Sequence, residues 1–151
     1  MNVQLDKVAT ASNVTDFLHN NLDELLANAG MHKADLSSPQ LTGMGASHSL
    51  ENSAESNMLK IFDCENKCWA IGCAINNCDK TSRQILQSSI IHELSDSQQI
   101  STLNYSDRTY YRKKQEALCE FANRLQFWAY KFDTHIEDLR IYKAEEEEKP
   151  V

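Results

Sequence analysis

The fold is decided by residues 107–141, which read DRTYYRKKQEALCEFANRLQFWAYKFDTHIEDLRI. Apolar residues recur there mostly at steps of three or four, the spacing that lines one side of an α-helix: Tyr111, Leu118, Phe121, Leu125, Trp128, Phe132, Ile136 and Leu139. A helix over this whole stretch would span roughly 50 Å, whereas a compact chain of this length has a diameter of about 40 Å. We therefore expect the helix to overhang the body, to break near Asp133 and Thr134, or to lie against a second molecule.

Composition favours a mostly helical chain. The 151 residues include four glycines and two prolines, and valine is scarce, so turn formers and β-branched strand formers are both few. We predict a predominantly helical α+β domain built from an N-terminal helix (13–29), a loop (30–46), a small β-hairpin (57–63 and 67–75), a middle helix (81–94), a polar connection (95–106) and a long C-terminal amphipathic helix (107–141). The apolar run 68–75 fits a buried strand or a buried helix, so an all-α bundle is the alternative.

Length and charge indicate one acidic domain. We predict a single globular domain over residues 1–143, containing the flexible loop 30–46, and a disordered acidic tail over 144–151. The net charge of −7 repels phosphate backbones and anionic membranes, which favours basic or apolar partners. No basic segment followed by an apolar stretch opens the chain, and the longest apolar run, 68–75, is too short to cross a bilayer. We expect a cytoplasmic protein without membrane insertion.

Four of the five cysteines cluster in the middle of the chain, at Cys64, Cys68, Cys73 and Cys78. Zinc sites usually take their ligands from tight turns, two to four residues apart, and this spacing matches no common zinc or iron–sulfur pattern. Buried free cysteine behaves as a small apolar residue. We predict buried thiols and no cofactor, with a metal site as the alternative.

No catalytic motif is present. Gly43 and Gly45 precede a weakly helical stretch, but a dinucleotide-binding loop needs a third glycine and a P-loop needs Gly-Lys-Ser/Thr. None of the five histidines lies in a recognisable nucleophile motif. We predict that the protein is not an enzyme, although catalytic groups can also assemble from distant segments.

One basic patch occurs at residues 108–114, which read RTYYRKK and place Tyr110 and Tyr111 among basic side chains. Bases could stack on the tyrosines while the cations hold phosphates. The rest of the chain is acidic, however, and no nucleic-acid-binding motif accompanies the patch. We interpret it as a basic first turn on an amphipathic helix and do not expect nucleic acid as a partner.

Aromatic residues beside the main apolar stripe predict a surface for another polypeptide. Phe127 and Tyr130 lie on a neighbouring flank of the helix, and aromatic residues are favoured at protein interfaces. We predict that Tyr110, Tyr111, Phe127 and Tyr130 bind a partner, either another polypeptide or a second copy in a homodimer. The alternative is a central core helix that the other helices wrap on several sides.

These features predict a small acidic cytosolic protein-binding module, an adaptor or chaperone, that acts through its long C-terminal apolar helix. In size, charge and element order the chain is similar to small acidic chaperones and adaptors of bacterial secretion systems, although no residue motif carries that resemblance. The resemblance implies a role associated with secretion. One alternative is an effector or host-directed inhibitor, and another is a small metal-binding or hydrolytic protein that uses the cysteine cluster.

Overall fold

The computed structural model describes residues 3–37 and 55–144, and within them the chain is mostly helical. In chain order the elements are strand β1 (Val3–Leu5), helices α1 (Lys7–Asn20) and α2 (Leu22–Ala29), a 3₁₀ turn (Lys33–Ser37), helices α3 (Glu55–Asn76) and α4 (Lys80–Leu86), a π-helical turn (Gln87–Ile91), helices α5 (Asp96–Leu103) and α6 (Asp107–Lys131), and strand β2 (Tyr142–Ala144). The predicted helical character is confirmed, and the two strands form a short antiparallel sheet.

Helix α6 forms the centre of the molecule. Helices α1, α3 and α4 all pack against it, and its residues Phe121, Ala122 and Leu125 are fully buried. Burying a large apolar side chain contributes about 1.5–3 kcal/mol of transfer free energy. The part of the predicted apolar stripe from Leu118 onward is thus the seam along which the other helices assemble, whereas Tyr111, its first residue, is 52% exposed.

The N-terminal helical region begins earlier than predicted and is interrupted. Asp6 caps α1, because its Oδ1 accepts a hydrogen bond from the Ala9 amide at 3.0 Å. The chain then breaks at Asn21 and continues as α2. Gly30 ends α2 with a φ of 67°, a left-handed conformation that glycine adopts without steric cost.

The predicted hairpin of 57–63 and 67–75 is wrong, because both segments belong to the continuous helix α3. The supposed turn between them is a helical turn in which Lys67 Nζ lies 2.9 Å from Asp63 Oδ2, an ion pair at four-residue spacing. The apolar run 68–75 is buried all round, with Ile71 and Ile75 fully inaccessible. A helix surrounded by other elements loses its amphipathic pattern, which is why the run resembled a strand.

The predicted helix 107–141 is also too long, since α6 ends at Lys131. Asp133 has a φ of 52°, so the chain leaves the helix at the expected break. The following segment runs back over the body, where Ile136 and Leu139 are buried. A 25-residue helix spans roughly 37 Å, about the diameter of the body. Of the three alternatives for the predicted helix, the structure shows the break rather than the overhang.

The sheet joins the two ends of the described chain. Strand β1 pairs antiparallel with β2, and the partners are Val3 with Ala144, Gln4 with Lys143, and Leu5 with Tyr142. The β component of the fold is therefore present, but at positions that differ from the predicted hairpin.

Other predictions meet the structure in part. The middle helix 81–94 corresponds to α4 and the π-helical turn, and the polar connection 95–106 contains helix α5. Most of the predicted loop 30–46, with Gly43 and Gly45, most of the weakly helical stretch after it, and nearly all of the tail 144–151 lie outside the described residues. Among the helices of the described segments, none is long and apolar enough to cross a membrane.

Candidate functional site

Helices α5 and α6 are joined by a turn of three residues, 104–106. Asn104 ends α5 with a φ of 56°, a left-handed conformation that asparagine adopts more readily than most residues. Ser106 begins α6, because its Oγ accepts a hydrogen bond from the Thr109 amide at 3.2 Å. Two helices linked by so short a turn have the connectivity of a helix-turn-helix unit.

The beginning of α5 is fixed by a reciprocal cap and by a buried glutamine. The Gln98 amide donates to Ser95 Oγ at 3.2 Å, and the Ser95 amide donates to Gln98 Oε1 at 2.9 Å. Gln99 is almost completely buried, and its Nε2 donates to Ser89 Oγ at 2.9 Å. Helix α5 is thus anchored to the π-helical turn that precedes it.

Asp96 connects α5 to α6. Its Oδ1 accepts hydrogen bonds from the Tyr110 hydroxyl at 2.9 Å and from Lys114 Nζ at 2.7 Å. Partial burial alone would raise the pKa of Asp96, but the bonds from Lys114 and Tyr110 outweigh it and hold the pKa below its usual value. Burial, followed by the bond to Asp96, raises the pKa of Tyr110, so its hydroxyl keeps its proton. We call these three residues the Asp96 brace.

The opposite side of the first turns of α6 faces solvent. Arg108, Tyr111 and Arg112 are exposed there, three and four residues apart and therefore on one side of the helix. Lys113 lies beside them, with Nζ 5.6 Å from the centroid of the Tyr105 ring. Together with the partial positive charge of the helix N-terminus, these groups suit phosphate oxygens and the acceptor edges of bases.

The four predicted partner-binding residues do not form one surface. The assignment of Tyr110 to a partner-binding surface is corrected, because its side chain is fully buried within the Asp96 brace and is not exposed to a partner. Tyr111, Phe127 and Tyr130 are 52%, 57% and 87% exposed. Tyr111 precedes Phe127 by 16 helical residues, or about 24 Å. The structure thus offers a basic surface at the start of α6 and, near its end, an aromatic pair of Phe127 and Tyr130.

The four clustered cysteines lie in or just after α3. Burial, with smaller contributions from neighbouring acidic groups, raises the pKa of Cys68 and of Cys78 to about 12. A thiol that keeps its proton is a poor nucleophile. Within residues 3–37 and 55–144, no three or more His, Cys, Asp or Glu side chains are grouped so that they could hold a metal ion.

Helix α5 was not predicted from the sequence, and neither was the connection between the basic patch and a second helix. The signal was present: Ser95 followed three residues later by Gln98 has the spacing of a capping box, and Ser106 is a typical N-cap residue. Asn104 is also among the residues that end helices in a left-handed conformation. Together these residues predict a helix of eight residues and a tight turn.

Comparison with known proteins places the chain in a family. No family model matches it, and no solved structure matches it. A protein of Enterococcus hirae, named as the "Putative autolysin regulatory protein ArpU", is 34% identical over 121 residues, which cover 79% of this chain and 88% of that protein. The chain belongs to the ArpU family. Because a shared fold does not define an activity, what this ArpU-family chain does has to be argued from its own site.

Proposed function

We propose that this ArpU-family chain is a regulatory protein that binds duplex DNA through α5, the turn 104–106 and the first turns of α6. The Enterococcus hirae relative is named for autolysin regulation, so the product that we propose to be regulated is an autolysin. The observation that carries the proposal is the exposed cationic start of α6, placed directly after a three-residue turn from α5.

The proposed orientation of the protein on DNA follows from how helix-turn-helix units use their second helix. In such units the N-terminal part of the second helix enters the major groove and contacts base edges, while the first helix crosses the backbone. Here Arg108 and Arg112 occupy the solvent side of that part of α6. Arginine can donate two hydrogen bonds to the O6 and N7 atoms of guanine. We therefore assign base contacts to these two arginines and phosphate contacts to Lys113.

The acidic net charge, which led us not to expect nucleic acid, is compatible with this surface. Charges separated by more than about 8–10 Å are largely screened at physiological salt, so the local surface governs docking. The acidic remainder opposes unspecific association along DNA. We therefore expect binding that depends strongly on sequence and on salt concentration.

The test measures DNA affinity by fluorescence anisotropy. Labelled genomic fragments that the wild-type protein enriches are compared with a short mixed-sequence duplex, between about 50 and 200 mM salt. Arg108→Ala/Arg112→Ala is expected to weaken binding to the enriched fragments at least about tenfold, because removing each bidentate arginine–guanine pair costs about 1–3 kcal/mol. The slope of log affinity against log salt should also fall in magnitude by about one for each phosphate that the variant no longer neutralises.

Lys60→Ala/Lys131→Ala is the matched control, because it removes the same charge from exposed positions on α3 and at the end of α6. It should leave the affinity within about twofold, as expected for distant screened charges. If both double variants weaken DNA binding equally, the loss is due to net charge alone, and the assigned surface is refuted. Failure of the wild-type protein to bind any duplex at low salt would refute DNA binding altogether.

A second candidate is the protein-binding module that the sequence predicts, whether adaptor or chaperone. It is favoured by the exposure of Phe127 and Tyr130 near the end of α6, where the Phe127 ring also packs edge-on against Trp128 with centroids 5.1 Å apart. Exposed aromatic side chains on a rigid helix are typical of contact surfaces between proteins. This candidate uses a different part of α6, so the two functions can be tested separately.

A further inference from the structure

A cavity of about 440 Å³ opens between helices α1, α2 and α4, the π-helical turn and α6. Its volume lies in the range of small-molecule sites, about 300–1,000 Å³. Half of the residues that line it are aliphatic, with Leu18, Leu22, Ile85, Leu86, Ile90 and Leu118 contributing. A cavity of this kind can remove the apolar part of a small ligand from water.

The charged residues of the cavity belong to two separate groups of ion pairs. Lys33 contacts both Asp23 and Glu93, and all three residues line the cavity. Lys114 also lines the cavity, but its carboxylate partner Asp96 is not among the lining residues. Lys114 is therefore the lining cation whose carboxylate partner lies outside the cavity, and Asp96 takes one of its three N–H donors at 2.7 Å. The remaining donors favour an anionic ligand group.

One wall of the cavity has an irregular backbone and an unpaired polar atom behind it. The π-helical turn supplies Ser89, and Glu93 has a φ of 54°, a left-handed conformation that is uncommon outside glycine. π-Helical turns are frequent at functional sites. The side-chain nitrogen of Gln99, Nε2, donates to Ser89 Oγ. The side-chain oxygen, Oε1, is buried without a hydrogen-bond partner in the described structure. Unpaired buried acceptors are uncommon in native folds, which distinguishes this wall from the ordinary core.

Lys114 links the cavity to the DNA-binding surface. Its ammonium group is one of the two donors that hold Asp96 at the start of α5. A ligand anion in the cavity would compete with Asp96 for Lys114, and α5 would then keep only the Tyr110 bond to Asp96 within the brace. Such a ligand acts on α5 without touching DNA.

We propose that this cavity binds a small amphipathic anion, with its apolar body against the aliphatic walls and its acidic group at Lys114, and that occupancy loosens α5 and weakens DNA binding. The regulatory half of this inference rests on the proposed function. The binding half stands on the cavity alone.

The binding half is tested with the fluorescent probe anilinonaphthalene sulfonate, an aromatic body that carries one anion. Lys114→Met is expected to weaken probe binding at least about tenfold, the usual loss for removing a charged hydrogen-bond donor. The matched control is Lys113→Met, which makes the same change one position away on a side chain that does not line the cavity. Leu18→Trp, which fills the cavity, should abolish binding, and circular dichroism melting confirms that each variant folds. Equal binding by all four proteins would mean general surface adsorption and would overturn the site.

The proposed effect of the ligand on α5 and on DNA binding is tested by one measurement without DNA and one with DNA. Hydrogen exchange of residues 96–103 should accelerate when the probe binds the wild-type protein, and not with Leu18→Trp. In anisotropy titrations the probe should weaken DNA binding by the same factor by which DNA weakens probe binding, as linkage requires. Unchanged exchange would refute the coupling even if DNA binds. Accelerated exchange in a protein that binds no duplex would refute the proposed function and leave the cavity site intact.

Discussion

At the scale of single residues, Asp96 decides how α5 sits on α6. One carboxylate oxygen accepts hydrogen bonds from both the buried Tyr110 hydroxyl and the Lys114 ammonium group. Charged hydrogen bonds of this kind are stronger than neutral ones, and each partner left unpaired in a partly buried place costs free energy. Sequence alone could not assign this role, because the three residues are partners only once the turn at 104–106 brings the two helices together.

Asp96→Asn is expected to lower the free energy of unfolding by about 1 kcal/mol near neutral pH, a value discounted because the Asp96 side chain is one-third exposed. The pKa of Asp96 is lowered in the folded state, so its contribution is present above the unfolded pKa and is lost as the pH falls through the folded pKa. The difference from wild type should therefore shrink below about pH 4. Urea unfolding across this pH range measures it.

The control is Asp16→Asn on the exposed side of α1. It should change stability little at any pH, as is usual for an exposed surface substitution. If the free energy of unfolding of Asp96→Asn stays below that of the wild type by the same amount from neutral to acid pH, the charge of Asp96 is not what stabilises the brace.

At the scale of elements, the sequence predicts helices well where one side meets water and poorly where no side does. Helix α6 was predicted from its spacing because exposed and buried residues alternate along it with a helical period. The second half of α3 was mistaken for a strand because Cys68, Ile71 and Ile75 are all fully buried. Periodicity carries information only through the contrast between two faces. Helix α5 was missed because a short polar helix has little apolar pattern, and only its caps identify it.

Near the end of α6, Phe127 and Tyr130 give the protein-binding candidate its own test. Phe127→Ser/Tyr130→Ser is expected to leave the monomer folded, since both side chains are mainly exposed, and to shift any dimer seen in native mass spectrometry toward monomer. Exposed aromatic anchors can contribute about 2 kcal/mol or more to an interface, so the dissociation constant should rise at least about tenfold.

The matched control is Tyr111→Ser, the exposed aromatic residue at the other end of the same helix. It should leave the oligomeric state unchanged and affect only DNA binding. If the double variant unfolds, these rings belong to the core in solution. If the wild-type protein is a monomer at every concentration tested, self-association is excluded.

At the scale of the whole molecule, the two ends of the described chain are fastened to each other. Beside the β1–β2 pairing, Thr10 Oγ1 donates to the Ile141 carbonyl at 3.2 Å and accepts from the Ile141 amide at 2.9 Å. Asn13 Nδ2 donates to the Leu139 carbonyl at 3.0 Å. These bonds hold the segment after α6 against α1, instead of letting it continue α6 beyond the body.

Pairings of this kind were beyond prediction from the sequence. The partners are more than 120 residues apart, and the strands have three residues each, too short to give an alternating pattern. A threonine on a helix is ordinarily interpreted as a surface or boundary residue. Only the assembled fold shows that Thr10 is fully buried and bonded twice to the other end of the described chain.

Thr10→Val keeps the shape of this side chain but removes both of its bonds to Ile141. The Ile141 amide loses this partner, while the Ile141 carbonyl keeps the bond from the Asp6 amide at 2.7 Å. We expect the free energy of unfolding to fall by about 1 kcal/mol, the usual net contribution of a hydrogen bond. Limited proteolysis should then cut first within residues 133–144, because the segment is no longer fastened. Thr15→Val is the matched control, since the Thr15 hydroxyl bonds only the Ala11 carbonyl within the same helix, on an exposed side. Equal destabilisation by both variants, with cleavage sites unchanged, would show that the fastening of the ends contributes no stability of its own.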